Sequence, residues 1–329
     1  MPADRSDAVC DLLLGDDCAT NVTVQPGAVR KPPGDLIEAD VARERAAEVM
    51  GRLRELEVDR VGGIVLSDPS GTPFDRADEL EALAPGHPDD AVMWESVEDQ
   101  AEAGAVPTLS YHVFLVIAVA LAAVAVVTDS SVLVIGAMVV GPEFSAIVAL
   151  SAGLVLGRPG LALRSLRLLV VSFVFAVVVV TVLALLGGLA GVITPEDVTR
   201  PRPNTGFIWR PDLWSFVVAL LAGAAGSLAL ALARSAPMLG VFISVTTVPA
   251  AGNLALGLAT WEGEEITGSL AQLGLNVAGM VLAGSLTLLL VRTAWPWLAA
   301  RSELIFLGAS HRPRTVTGEL ADRRGGRRG

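Results

Sequence analysis

The chain is predicted to be an α-helical integral membrane protein preceded by a small α+β domain, and three observations lead there. Only 18% of the 329 residues are charged and the mean hydropathy is +0.58, whereas a soluble domain carries about 25% charged residues. The charge is also divided unevenly. Residues 1–108 carry nine basic and 24 acidic side chains, and the remainder carries 15 and 11. That remainder holds apolar runs of about 20 residues or more, long enough to cross the roughly 30 Å hydrocarbon core at about 1.5 Å per residue. Together these exclude a wholly soluble enzyme, a disordered chain and a nucleic-acid binder, whose footprint would be strongly basic.

The first 66 residues order themselves as helix, strand, strand, helix, strand. Residues 6–14 read as a helix, and 20–26 alternate polar with β-branched side chains as a half-exposed strand does. A loop containing Pro26, Gly27, Pro32, Pro33 and Gly34 leads to a second strand over 35–41. Residues 42–57 space Ala46, Val49, Met50, Leu53 and Leu56 on one helical face, with Arg43, Arg45, Glu48, Arg52, Arg54 and Glu55 on the other. A third, apolar strand is expected over 60–66. This is a ferredoxin-like βαββαβ unit lacking its first strand, and Pro2-Ala3-Asp4-Arg5 would suit the end of such a strand if translation began upstream. Cys10 and Cys18 match no metal-ligand spacing and read as reduced thiols. The acids around Leu12-Leu13-Leu14 exclude a signal peptide.

Residues 67–108, with Pro69, Pro73, Pro85, Pro88 and Pro107, read as an acidic linker with one short helix near 90–103. A transmembrane domain over 109–300 follows, with six spans at about 109–128, 130–156, 163–190, 212–233, 237–260 and 267–292. Residues 301–329 form an Arg-rich disordered tail. Arg158, Arg164, Arg167, Arg234 and the eight arginines from Arg292 onward fall on one side of these spans, against Arg200, Arg202 and Arg210 on the other. The positive-inside rule then puts both termini in the cytoplasm, as in a multi-pass protein of the cell inner membrane. Trp209, Trp214, Trp261, Trp295 and Trp297 stand at span ends, as interfacial anchors do. Laying Pro142 over Pro249 matches the hydropathy of 119–142 with that of 226–249, an expected 3+3 inverted repeat with two proline-broken helices. Such matched breaks point to a transporter's binding site.

The chemistry is expected at those breaks. As one straight helix, 130–156 would be too long for the hydrocarbon core. Pro142 removes an N–H and clashes with the carbonyl four residues earlier, while Gly136 and Gly141 permit a break. Glu143 stands at that point, the only carboxylate inside a span. An ionisable group there costs about 2.5–3.5 kcal/mol on insertion scales and normally faces a cavity with a function; the alternative is a carboxylate capping the new half-helix. In the fifth span Thr246 and Thr247 can hydrogen-bond the turn that Pro249 and Gly252 disrupt, and Asn253 can donate and accept. Each also reads as ordinary interhelical glue. Gln272 and Asn276, one helical turn apart, read as packing contacts, Asp129 as a solvated turn or cap, and His112 as an interfacial side chain. No HExxH, GxSxG or phosphate loop occurs, so no enzyme, cofactor or metal is expected.

The run Val134-Ile135-Gly136-Ala137-Met138-Val139-Val140-Gly141-Pro142, with Gly240-Val241-Phe242-Ile243-Ser244-Val245-Thr246-Thr247-Val248-Pro249-Ala250 behind an acidic front end, resembles the uncharacterised hydrophobic-domain family, domain-of-unknown-function family 389. The resemblance covers the chain to about residue 300 and implies a bacterial inner-membrane protein. Two functions remain open. One is a secondary transporter or channel-like carrier of an ion or small polar solute, with the site between the two broken spans. The other is a membrane-anchored sensor or scaffold acting through its cytoplasmic domain. The expected partners are the lipid bilayer and further copies of the chain, the latter paired through the open edge of the sheet.

Overall fold

The computed structural model describes residues 1–67, 90–232, 246–295 and 297–298. Contacts divide the chain into one unit of 1–93 with the residues after 293, and a second of Trp94–Thr293.

In the first unit, α1 (Ser6–Leu14) precedes a hairpin of β1 (Ala19–Arg30) and β2 (Pro33–Val41), then α2 (Arg43–Glu55) and the single turn α3 (Val58–Val61). Val9, Leu12 and Leu13 of α1, Val49 of α2 and Val58 form the core, flanked by Val22, Ile37 and Leu53. The apolar spacing of the two helices buries one face of each against the hairpin. Asp35 holds the start of β2: its carboxylate accepts from Ser6 Oγ at 2.5 Å and Gly27 N at 2.8 Å, and its backbone exchanges two bonds with Met1. The Ser6 and Gly27 donors keep this carboxyl below the usual carboxylate range. Both cysteines are free thiols, Cys18 buried.

Two expectations here are corrected. The loop predicted over 26–34 shrinks to Lys31 and Pro32, because Pro26 and Gly27 are absorbed by an irregularity in β1 between Gln25 and Val29. The third strand predicted over 60–66 is not formed. Glu57 turns the chain in a left-handed conformation (φ 53°), Val58–Val61 are helical, and no strand is assigned to 62–67. Among the described residues the sheet therefore has two antiparallel strands. The predicted segment 67–89 lies almost wholly outside the described residues.

The described residues of the second unit form helices and the loops that join them. It contains α4 (Trp94–Gly104), α5 (Leu109–Val127), α6 (Ser131–Val140), α7 (Glu143–Val155), α8 (Pro159–Leu189), α9 (Pro195–Thr199), α10 (Leu213–Ala231), α11 (Thr247–Thr260) and α12 (Gly263–Thr293). Their starts are written locally. Thr108 caps α5 by accepting from Tyr111 N, Ser130 caps α6 through Leu133 N, Asp212 caps α10 through Ser215 N, and Pro159 opens α8. Four of these helices are long and apolar enough to cross a membrane, or five if α6 and α7, bent by 53° at their junction, count as one span. Long apolar side chains such as Val170, Val174, Val178, Val182 and Leu186 stand exposed along α8. In water that surface would be prohibitive; against lipid it costs nothing. The span predicted at 237–260 is described only from Thr246, its earlier residues lying outside the described set.

Small residues set how closely these helices approach. A Cβ on Gly223 of α10 would meet Met280 O of α12 at 2.3 Å, one on Gly226 would meet the Phe144 ring at 1.9 Å, and one on Gly252 of α11 would meet Ala122 Cβ of α5 at 2.6 Å. Gly252 is thus a contact point and not a break, and Gly136 likewise lies within α6. Gly223→Ala and Gly226→Ala each force an overpacked crossing, at a cost of about 1–3 kcal/mol. Thermal unfolding of the full-length protein in detergent should show both below wild type. Gly274→Ala, where an added methyl meets nothing within 4 Å, should not fall.

Candidate functional site

Gly141 and Pro142 separate α6 from α7, so the second span is broken as its proline predicts. Pro142 is the N-cap of α7 and Glu143 its first residue. Pro249 behaves differently. It is the third residue of α11, whose N-cap is Thr246, and its missing N–H falls among those that lack a helical partner anyway.

The two helix starts, more than a hundred residues apart in sequence, meet. Thr247 Oγ1 donates to Glu143 Oε1 at 2.8 Å, with both residues buried. Glu143 is 7% exposed, and its other oxygen, Oε2, has no hydrogen-bond partner among the described residues. The carboxylate folds back over the break: a Cβ on Gly141 would stand 2.3 Å from Oε2 and 2.8 Å from Val248 Cγ2. Gly141 has an ordinary extended backbone (φ −66°, ψ 127°), so a side chain there would displace the Glu143 carboxylate and Val248 from this close approach without straining the dihedral angles. Thr246 faces a different pair, with its Oγ1 accepting from Gln272 Nε2 at 3.0 Å and Asn276 Nδ2 at 2.9 Å on α12. Gln272 Oε1 is buried and unpartnered. The threonines therefore tie the start of α11 to α7 and α12. Gln272 and Asn276, read as packing contacts, are polar partners of that start.

Asn253 is elsewhere. Its Oδ1 accepts from Arg202 Nη1 at 2.7 Å, and its Nδ2 donates to Glu265 Oε2 at 2.7 Å and Ser269 Oγ at 2.8 Å. Arg202 Nη2 in turn reaches both oxygens of Glu265 at 2.7 and 2.8 Å. Arg202, Asn253, Glu265 and Ser269 are all at most 6% exposed. Sequence reasoning missed this network because Arg202 and Glu265 were both assigned to loops. α12 begins at Gly263, earlier than the expected 267, and so takes Glu265 inside the helix. The signal that could have found it is the i, i+4 spacing of Glu265 and Ser269 in register with Gln272 and Asn276, one polar stripe on an apolar helix.

The loop that delivers Arg202 is held by Asp129, at the α5–α6 turn. That carboxylate accepts from Thr205 Oγ1 at 2.8 Å, Asn204 Nδ2 at 3.1 Å and Asn204 N at 3.2 Å. Partial desolvation raises the Asp129 carboxyl, but these bonds together reverse it and leave the group below the usual carboxylate range. Asp129 is thus a latch, not a freely solvated turn. His112 is also occupied, with Nδ1 near Thr108 O at 2.8 Å and Nε2 near Ser172 Oγ at 3.2 Å. Among the described residues no cluster of three or more His, Cys, Asp or Glu could hold a metal.

Comparison with known proteins falls on this same region. Residues 138–282 match the family described as "Domain of unknown function (DUF389)", a stretch narrower than the resemblance read from the sequence but one that holds Glu143, Arg202, Thr247, Asn253 and Glu265. The chain is also 27% identical over 135 residues to the uncharacterized protein MJ0678 of Methanocaldococcus jannaschii, covering 41% of this chain and 39% of that protein. The match thus spans about two fifths of the relative's length. No solved structure matches.

Removing one member of the Arg202–Glu265 pair leaves the other charge buried and uncompensated, a loss of about 3–5 kcal/mol. Arg202→Ala and Glu265→Ala should each lower the unfolding temperature of the detergent-solubilised protein. The double substitution Arg202→Met with Glu265→Leu should be milder than either, since it strands no charge.

Proposed function

We propose that the helical unit is a carrier or channel-like protein moving an ion or small polar solute across a membrane, with Glu143 as the group whose charge is coupled to that movement. The observation that carries this reading is a carboxylate 7% exposed, set where α7 and α11 start, with one oxygen bonded to Thr247 and the other without a hydrogen-bond partner among the described residues. A carboxylate serving only as a cap would spend its oxygens on backbone N–H groups of its own helix; this one lies against its own backbone N–H and also reaches to a hydroxyl on a second helix. Three spans before and three after, inverted in the membrane, remain the topology this reading adopts, with both termini in the cytoplasm on the arginine count. A ferredoxin-like cytoplasmic domain and association of copies through its open sheet edge go with it, as does the absence of an enzymatic role.

In reconstituted vesicles, Glu143→Gln keeps the shape of the side chain and removes its titration. It should abolish dependence of solute movement on a proton gradient while the protein stays folded and monodisperse. Unchanged gradient dependence would make Glu143 a structural cap and favour the sensor or scaffold reading.

Topology has its own check. In a background with Cys10 and Cys18 replaced by serine, impermeant thiol reagents applied to whole cells should label cysteines placed at Pro203 and Gly263 and leave one at Glu38 untouched. Labelling confined to Glu38 would reverse the orientation.

A further inference from the structure

We infer that the solute is a small monovalent anion, of halide or nitrate size, that trades places with the Glu143 carboxylate and travels with the proton that neutralises it. This rests on the carrier reading above and adds the solute's class. α7 has 13 residues and α11 has 14, and each helix start carries about half a positive charge on N–H groups without helical partners. That is the feature by which helix starts bind anions in general. Here the two starts lie within reach of a single side chain, since Glu143 opens one and bonds to Thr247, the first residue of the other. Two half charges call for one negative charge, and Glu143 supplies it.

The neighbours agree in sign. Among the described residues no lysine, arginine or histidine hydrogen-bonds or ion-pairs with Glu143. The hydroxyl that faces it is Thr247's, and the Tyr111 phenol of α5, buried with its own oxygen unpartnered among the described residues, lies in electrostatic range of the carboxylate. Hydroxyl donors and helix starts recognise anions. The leftover Glu143 Oε2 and Tyr111 Oη are two buried polar atoms that a solute or a proton would satisfy. A cation would gain one carboxylate but face both positive helix ends. An anion gains both ends as soon as the carboxylate is protonated, and not before, because two negative charges cannot share the place. The coupling is therefore one proton with one anion, bound together and released together.

Other charged groups on the packed elements are engaged or exposed. On α4, Glu98 and Glu102 pair with Arg158, Glu95 is half-buried and engaged, and Asp99 is exposed. On α8, Arg164 and Arg167 are exposed. On α12, Glu265 is bound by Arg202, Glu264 is exposed, and Arg292 donates to Val155 O. α6, α10 and α11 carry no charged side chain, and His112 of α5 is turned to Ser172.

The test uses full-length protein in proteoliposomes with the membrane potential clamped by potassium and valinomycin. With an inward proton gradient, labelled chloride or nitrate should accumulate about tenfold for each pH unit imposed, the ratio one coupled proton sets, and labelled sodium should not. Glu143→Gln should still pass chloride or nitrate, downhill only and with no response to the gradient. Gradient-driven sodium movement without anion movement would overturn the anion assignment and leave the carrier reading standing. Movement of neither by monodisperse wild-type protein would overturn both. A second measurement needs neither transport nor a variant. In detergent at fixed ionic strength, nitrate in place of gluconate should raise the wild-type unfolding temperature at acid pH and not at neutral pH; no shift at either pH overturns the anion assignment.

Discussion

The bond between Glu143 and Thr247 follows from a requirement the rest of the helical unit has to meet. Pro142 cannot continue the helix begun at Ser131, so the chain must restart inside an apolar bundle, where the freed backbone groups find no water. The restart at Glu143 is stabilised by a carboxylate at a positive helix end, and the carboxylate is stabilised by a hydroxyl at the start of α11. The two helix starts are thereby partners. Gly141 belongs to the same arrangement, because only a residue without a side chain lets the carboxylate lie back against the break. Around this point α5, α8 and α12 close in on α11, α8 and α12 also pack on α7, and glycines at the crossings set how near they come.

What could be read from the sequence was governed by range. For the helices described end to end, the apolar runs gave boundaries within a few residues, since hydrophobic length is a local property. Pro142 gave the break for the same reason: its ring acts on a carbonyl four residues away. Pro249 carries the same ring with a different outcome, because at the third position of a helix nothing is lost. A residue's position relative to a helix start depends on where that start falls, and hydropathy alone locates it to no better than a turn. In the first unit the third strand failed for a related reason. Val61, Ile64, Val65 and Leu66 are apolar enough for a strand, but the left-handed Glu57 and the Gly62-Gly63 pair decide the path of the chain, and hydropathy does not report on either.

The candidate residues divide along the same line. Glu143 could be singled out because a lone carboxylate in an apolar run is conspicuous in one dimension. Its pairing with Thr247 could not, being a contact across 104 positions. Asn253 was noticed as a polar group in a span, yet its partners arrive from a loop and from the first turns of another helix. Arg202 in particular sits in a segment rich in proline, threonine and arginine that looks solvent-facing by composition. Only the latch of Asp129 on Asn204 and Thr205 turns that segment inward. A buried ion pair whose members come from loops is invisible to hydropathy.

The two buried carboxylates of the helical unit differ in a way that assigns them different work. Glu265 accepts two bonds from one arginine and a third from Asn253, which is itself fixed by Ser269. Every group in that network is paired, so any movement would strand a charge, and such a pair holds a loop in place. Glu143 faces one hydroxyl and no cation among the described residues, with an oxygen left over. Its charge is balanced by helix ends, which cannot follow it if it leaves and which accept any other anion of similar size equally well. A saturated network resists exchange and an unsaturated one permits it. That contrast, more than the presence of a carboxylate in a span, is what the exchange proposed at the start of α7 rests on, while the saturated network at the start of α12 holds structure.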